Sequence, residues 1–130
     1  MALIEVSFPG GKRVDAHMKG FNIETDQPVY SGGEGAAPTP FDLFLSSIAT
    51  CAGIYALGFC QNKGLDTEGL KLEMDIQQNP DTGLISDIDL KLTLPDGFPI
   101  KYKEAILRSI NLCAVKKHMM TPPEITVKTI

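Results

Sequence analysis

Residues 39–64 read TPFDLFLSSIATCAGIYALGFCQNKG, and this stretch decides the fold. Thr39 can cap a helix with its hydroxyl, and Pro40 suits the first helical position. Asp42, three residues after Thr39, approximates a capping box and complements the positive helix start. Lys63 and Gly64 make a natural end. These signals predict one long helix from Pro40 to Asn62. Residues 43–62 hold no charge, a length that could cross a bilayer. However, Ser46, Ser47, Thr50, Gly53, Gln61 and Asn62 dilute the run, and amphipathic strands lie on either side. The reading is therefore a core helix buried nearly all round, with no membrane partner. A 130-residue chain struggles to surround such a helix. Two copies sandwiching two of them would manage it, which predicts a homodimer.

Upstream, Ile4, Val6 and Phe8 alternate with Glu5 and Ser7, the pattern of a half-buried strand. A turn is expected at Pro9-Gly10-Gly11, then strands over Arg13–Lys19 and Phe21–Thr25 in an antiparallel meander. Residues 26–40 form a long Gly- and Pro-rich loop, a length often tied to function. Downstream, residues 71–78 and 84–94 alternate around a turn at 79–83 and predict a hairpin. Tyr102, Ala105, Ile106, Ser109 and Cys113 recur at helical spacing. They predict a second helix over Ile100–Leu112, with Cys113 near its end and one more turn at 114–118. Pro122-Pro123 ends it, and Glu124–Ile130 reads as a last strand. The order is βββ-α-ββ-α-β, a single α+β domain over residues 1–130.

Composition narrows the function. Apolar residues make up 43% and charged residues 22%, ordinary for a soluble globular chain. The net charge of -4 argues against a nucleic-acid partner, and the longest basic run is Lys116-Lys117. The N-terminal MALIEVSFPGG lacks the basic start of a signal peptide, so the expected location is cytoplasmic. In that compartment an odd count of three cysteines argues against a structural disulfide framework. The spacing of Cys51, Cys60 and Cys113 matches no zinc pattern; neither metal nor cofactor is expected. His17 and His118 read as surface histidines, Met119-Met120 as packing, and Gly32-Gly33-Glu34-Gly35 as loop flexibility.

The thiols divide by geometry. Nine positions separate Cys51 from Cys60, which at about 100° per residue is a net rotation of roughly 180°. The two face opposite sides of the helix, and Cys60 reads as a small buried apolar residue. Cys51 and Cys113 have two readings. They are core cysteines on two helix faces, or two helices packed across a sheet bring them together.

The run Pro40-Phe41-Asp42-Leu43-Phe44-Leu45-Ser46-Ser47-Ile48-Ala49-Thr50-Cys51 resembles the central helix motif of the OsmC/Ohr family, the osmotically inducible protein C and organic hydroperoxide resistance proteins. Asp26-Gln27-Pro28 before a Gly-rich loop is similar to the lead-in of OsmC-like members, and Asn111-Leu112-Cys113-Ala114-Val115 resembles the family's second cysteine site. The resemblance is closer to the broader OsmC-like branch. It implies the OsmC-like fold, antiparallel sheets around a buried central helix in an intertwined homodimer. It also implies a peroxidatic Cys51, a resolving Cys113, and Arg13 as the arginine that stabilises the thiolate. The organic hydroperoxide branch keeps a glutamate, paired with that arginine, ten residues before the reactive cysteine; here the position is Phe41. Asp42 and Glu34 are the acids that could replace it, or the pair is absent.

Chemistry supports the same roles. A thiolate attacks peroxide oxygen, and a free cysteine is only a few per cent ionised at pH 7. Attack gives a sulfenic acid and an alcohol, and a neighbouring thiol condenses with the sulfenic acid to a disulfide. A small-thiol or lipoyl-type reductant would then restore the dithiol, the latter implied by the resemblance. Phe41, Phe44, Tyr55 and Phe59 would favour a bulky organic hydroperoxide, or they simply pack the core. The expected function is a thiol-dependent organic hydroperoxide reductase. The alternative is a non-catalytic OsmC-like dimer that binds a small molecule or serves a structural role.

Overall fold

Alternating apolar residues build the first unit, a three-stranded antiparallel sheet. The computed structural model describes residues 2–130, which divide into two compact units, 2–46 and 47–130. In the first, β1 (Glu5–Gly10), β2 (Arg13–Met18) and β3 (Phe21–Thr25) pair in sequential order. Pro9 and Gly10 belong to β1, so the turn expected there moves to Gly11-Lys12. A bulge between Ser7 and Gly10 absorbs the shift, and Gly10 at φ 146 is a conformation open to glycine. Proline is tolerated because β1 is an edge strand. Lys19 and Gly20, both at positive φ, turn β2 into β3.

Helix α1 (Pro40–Asn62) has the bounds its end signals predict. The Asp42 N–H donates to Thr39 Oγ1 at 3.1 Å, and the Thr39 N–H donates to Asp42 Oδ2 at 3.0 Å. This reciprocal pair is a capping box with aspartate in the glutamate role. At the far end the Leu65 N–H reaches the Cys60 carbonyl and the Gly64 N–H the Gln61 carbonyl, with Gly64 at φ 64. Those two bonds are a Schellman motif, which satisfies carbonyls that the helix end leaves bare.

The second unit holds the core. Strands β4 (Lys71–Gln78) and β5 (Ile85–Thr93) form the expected hairpin, in register from Lys71↔Thr93 to Gln77↔Asp87, with a bulge before Gln78↔Ile85. Helix α2 (Lys103–Ile110) follows a single 3-10 turn at Ile100–Tyr102. Ala52, Ala56 and Cys60 of α1 pack against Ile106 and Ile110 of α2, and Leu72, Leu90, Leu92 and Leu94 of the hairpin close over them. Small residues at every fourth position of α1 let α2 approach closely. Within the chain this stripe, with Ile48, is the buried part of α1; Ile54 on another face is 58% exposed.

Two expectations for the C-terminal third need correction. The second helix does not run through to Leu112: α2 stops at Ile110, and α3 (Ala114–Met120) is a helix in its own right. The last strand is not formed, and residues 121–130 carry no regular structure. Ile125 and Val127 are 83% and 95% exposed. An alternating pattern needs a neighbouring edge to become a strand, and this segment pairs with none. The α+β class, the antiparallel sheets and the long central helix stand.

Candidate functional site

Cys113 lies between α2 and α3 rather than inside a helix. The Leu112 and Cys113 N–H groups bond the Ser109 and Ile110 carbonyls, which tightens the end of α2. Cys113 then takes φ -48 and ψ 126, and α3 starts with Ala114. This break aims the Ala114 and Val115 N–H groups at the Cys51 sulfur, and the Cys113 thiol donates to the same sulfur. Cys51 is half-buried and Cys113 buried, at 2% exposure; both are free thiols. The structure thus brings together the two cysteines whose proximity the sequence left open.

The electrostatics of the pair are asymmetric. Burial pushes the Cys51 thiol up. Hydrogen bonds from Cys113, Val115 and Ala114 together outweigh burial, and the Cys51 pKa falls below the ordinary cysteine value. Cys113 moves the other way: burial raises its pKa, and donation to Cys51 raises it further. Of the two thiols, Cys51 is therefore the one that ionises first, and Cys113 is the one that holds its proton longer. Cys60, fully buried in the core, is raised by desolvation alone. Tyr55 is half-buried, and its carbonyl accepts from the Ser109 hydroxyl at 3.5 Å. Phe59 stacks edge-on against Tyr102, centroids 5.8 Å apart, and packs on the core cluster.

The remaining predicted residues belong to the first unit. Arg13 pairs with Glu24 at 3.4 Å, and its Nε is buried with no hydrogen-bond partner among the described residues. Neither acid put forward for that pairing takes it. Asp42 closes the capping box, and Glu34 contributes its N–H to Asp26. Glu24 sits diagonally across from Arg13 because Asp15 is its direct neighbour in the β2–β3 register. Phe41 and Phe44 stand on the first turns of α1, rings 5.4 Å apart, with Phe41 52% exposed.

The sequence profile of the OsmC-like proteins matches residues 32–128. The chain belongs to the OsmC-like family. Among solved structures, this OsmC-like chain is similar to a Psychrobacter arcticus protein whose name refers to osmotic stress induction and detoxification response. The TM-score is 0.74 at 24% identity, over 90% of this chain and 87% of that one. An OsmC like protein from Mycoplasma pneumoniae gives 0.71 at 17% identity, over 92% and 86%. An organic hydroperoxide resistance protein from Legionella pneumophila gives 0.53 at 19% identity, over 92% and 90%. At these identities the likeness is one of fold. No curated protein matches the sequence.

Sequence reasoning missed one organising residue of the OsmC-like loop. Asp26 is 1% exposed and accepts N–H bonds from Gln27 at 2.7 Å, Ala36 at 3.1 Å and Glu34 at 3.3 Å. The Gln27 and Ala36 bonds lower its pKa most, against the opposing effect of burial. Its own N–H bonds the Pro38 carbonyl, so one residue gathers the loop that leads to α1. Gly33 is required there because a Cβ would collide with the Gln27 carbonyl. An aspartate before a Gly-rich segment was the available signal.

Proposed function

We propose that the protein is a thiol-dependent peroxidase that reduces organic hydroperoxides to alcohols, with Cys51 attacking and Cys113 resolving. The observation that carries this reading is the Cys51 sulfur held by the Cys113 thiol and two backbone N–H groups, with its pKa lowered. In the first step the Cys51 thiolate bonds to the terminal peroxide oxygen, the O–O bond breaks, and the alkoxide leaves and takes a solvent proton. Cys51 is then a sulfenic acid. Cys113 loses its proton and attacks that sulfur, expelling water and forming a disulfide. An external dithiol reduces the disulfide by exchange and is itself oxidised.

Family membership supports the reading at a coarser level, since members carry names of hydroperoxide resistance. Arg13 is proposed as the stabilising cation on the resemblance, and its always-charged guanidinium suits that task. A homodimer is proposed on α1, whose residues 43–62 hold no charge and much of whose surface one chain leaves uncovered; a cytoplasmic location is proposed with it. The test is turnover of cumene hydroperoxide with a dithiol reductant. Cys51→Ser should abolish it, and Cys113→Ser should stop it after one equivalent with Cys51 oxidised. Full turnover by Cys51→Ser would end the proposal.

A further inference from the structure

The two sulfurs of the couple differ in access as well as in ionisation. Cys51 is half-buried, whereas Cys113 is 2% exposed. Cys113 lines a cavity of about 470 Å³ within residues 47–130, walled largely by Leu72, Ile88, Leu90 and Leu92. Tyr55, expected to form the substrate pocket, does not line it. Three successive N–H groups divide between the sulfurs. Those of Ala114 and Val115 bond Cys51, and those of Val115 and Lys116 bond Cys113. The Val115 N–H therefore reaches both, and each sulfur has its own pair of donors.

We propose that an external thiolate attacks the oxidised couple at Cys51, and that Cys113 leaves as a thiolate held by the Val115 and Lys116 N–H groups. A new S–S bond joins the reductant to Cys51. The Cys51–Cys113 bond breaks, and its electron pair goes to Cys113, which then takes a solvent proton. A second thiolate attacks the reductant's sulfur, frees the Cys51 thiolate and departs with it as the oxidised disulfide. This direction of attack rests on the Cys51–Cys113 couple of the peroxidase reading. Exchange depends on which sulfur can be reached as well as on the leaving group. The leaving group alone favours the opposite course, because Cys51 has the lower pKa. Access outweighs it: Cys113 is buried, and a thiolate entering the apolar cavity beside it would shed its hydration. The handicap of Cys113 also shrinks in this step. Donation to a Cys51 thiolate is one cause that raises it, and once Cys51 carries the reductant no such thiolate exists. The two backbone donors remain.

Trapping the mixed disulfide tests the direction. The full chain is closed to its Cys51–Cys113 disulfide with diamide, so no peroxide is involved, and mixed with excess 2-mercaptoethanol. Samples are quenched in acid over a time course, alkylated with N-ethylmaleimide and mapped by peptide mass spectrometry. The 2-mercaptoethanol adduct should appear on Cys51, with maleimide on Cys113, in at least about tenfold excess over the reverse pattern. Adducts mainly on Cys113, adducts shared equally, or reduction without a Cys51 adduct at any time point overturns the proposal. So does a pair that diamide fails to close. A disulfide that forms with diamide and opens at Cys51, in a protein inert to cumene hydroperoxide, would remove the peroxidase reading and keep this one. Full hydroperoxide turnover with adducts on Cys113 would do the opposite.

Discussion

Replacing Ala114 with proline isolates one hydrogen bond to the Cys51 sulfur. Ala114 is the first residue of α3, where proline fits because that N–H has no partner within the helix. Cys113, at ψ 126, already has the extended conformation required of a residue before proline. Ala114→Pro therefore keeps the backbone and deletes a donor. Among the three donors to Cys51, Ala114 contributes least. The low end of the range for bonds to charged groups applies, about 1.5 kcal/mol, or roughly tenfold in the ionisation equilibrium. A more basic thiolate is also the better nucleophile; a Brønsted coefficient of about 0.4–0.5 recovers about threefold. The rate with cumene hydroperoxide should fall about threefold at pH values below both midpoints and rise about threefold on the alkaline plateau. The midpoint moves to higher pH, and the wild-type and variant profiles cross. Stopped-flow rates across a pH series read this directly. An unmoved midpoint, or a uniform loss at every pH, refutes the role assigned to the N–H.

Other consequences follow from the same contacts. Cys60→Ala should leave the hydroperoxide rate intact and cost about 1 kcal/mol in urea unfolding, and alkylation of wild type should reach Cys51 well before Cys60. Ile106→Ala, at a fully buried position of α2, should cost about 2–5 kcal/mol by the same assay. The lowered Asp26 pKa contributes stability that is full above the ordinary aspartate range and is lost as pH falls through the folded value. Asp26→Asn should flatten that acid limb, and protease cleavage within residues 27–38 should quicken; an unchanged acid limb would remove Asp26 from its place in the loop.

What the sequence revealed depends on the range of the forces involved. Both ends of α1 were legible because the capping box and the Schellman motif join residues only a few positions apart. The hairpin was legible because alternation over residues 71–78 and 84–94 is itself the signal. The break before α3 was not: Ile106, Ser109 and Cys113 keep helical spacing across it, and no Gly or Pro marks it. Its consequence is tertiary, as it turns two N–H groups toward a sulfur 63 and 64 residues earlier. Periodicity left the approach of Cys113 to Cys51 as one of two readings; the family resemblance favoured it. The Arg13–Glu24 pair follows from a strand register that alternation alone leaves open. Residues 124–130 show the reverse, a true strand pattern with no edge to join.

The central claim is that Cys51 and Cys113 act as one redox couple. Peptide mass spectrometry after one equivalent of cumene hydroperoxide measures it. The account predicts a Cys51–Cys113 disulfide with Cys60 still a free thiol. Two intact thiols at Cys51 and Cys113 would contradict it, as would a disulfide that includes Cys60.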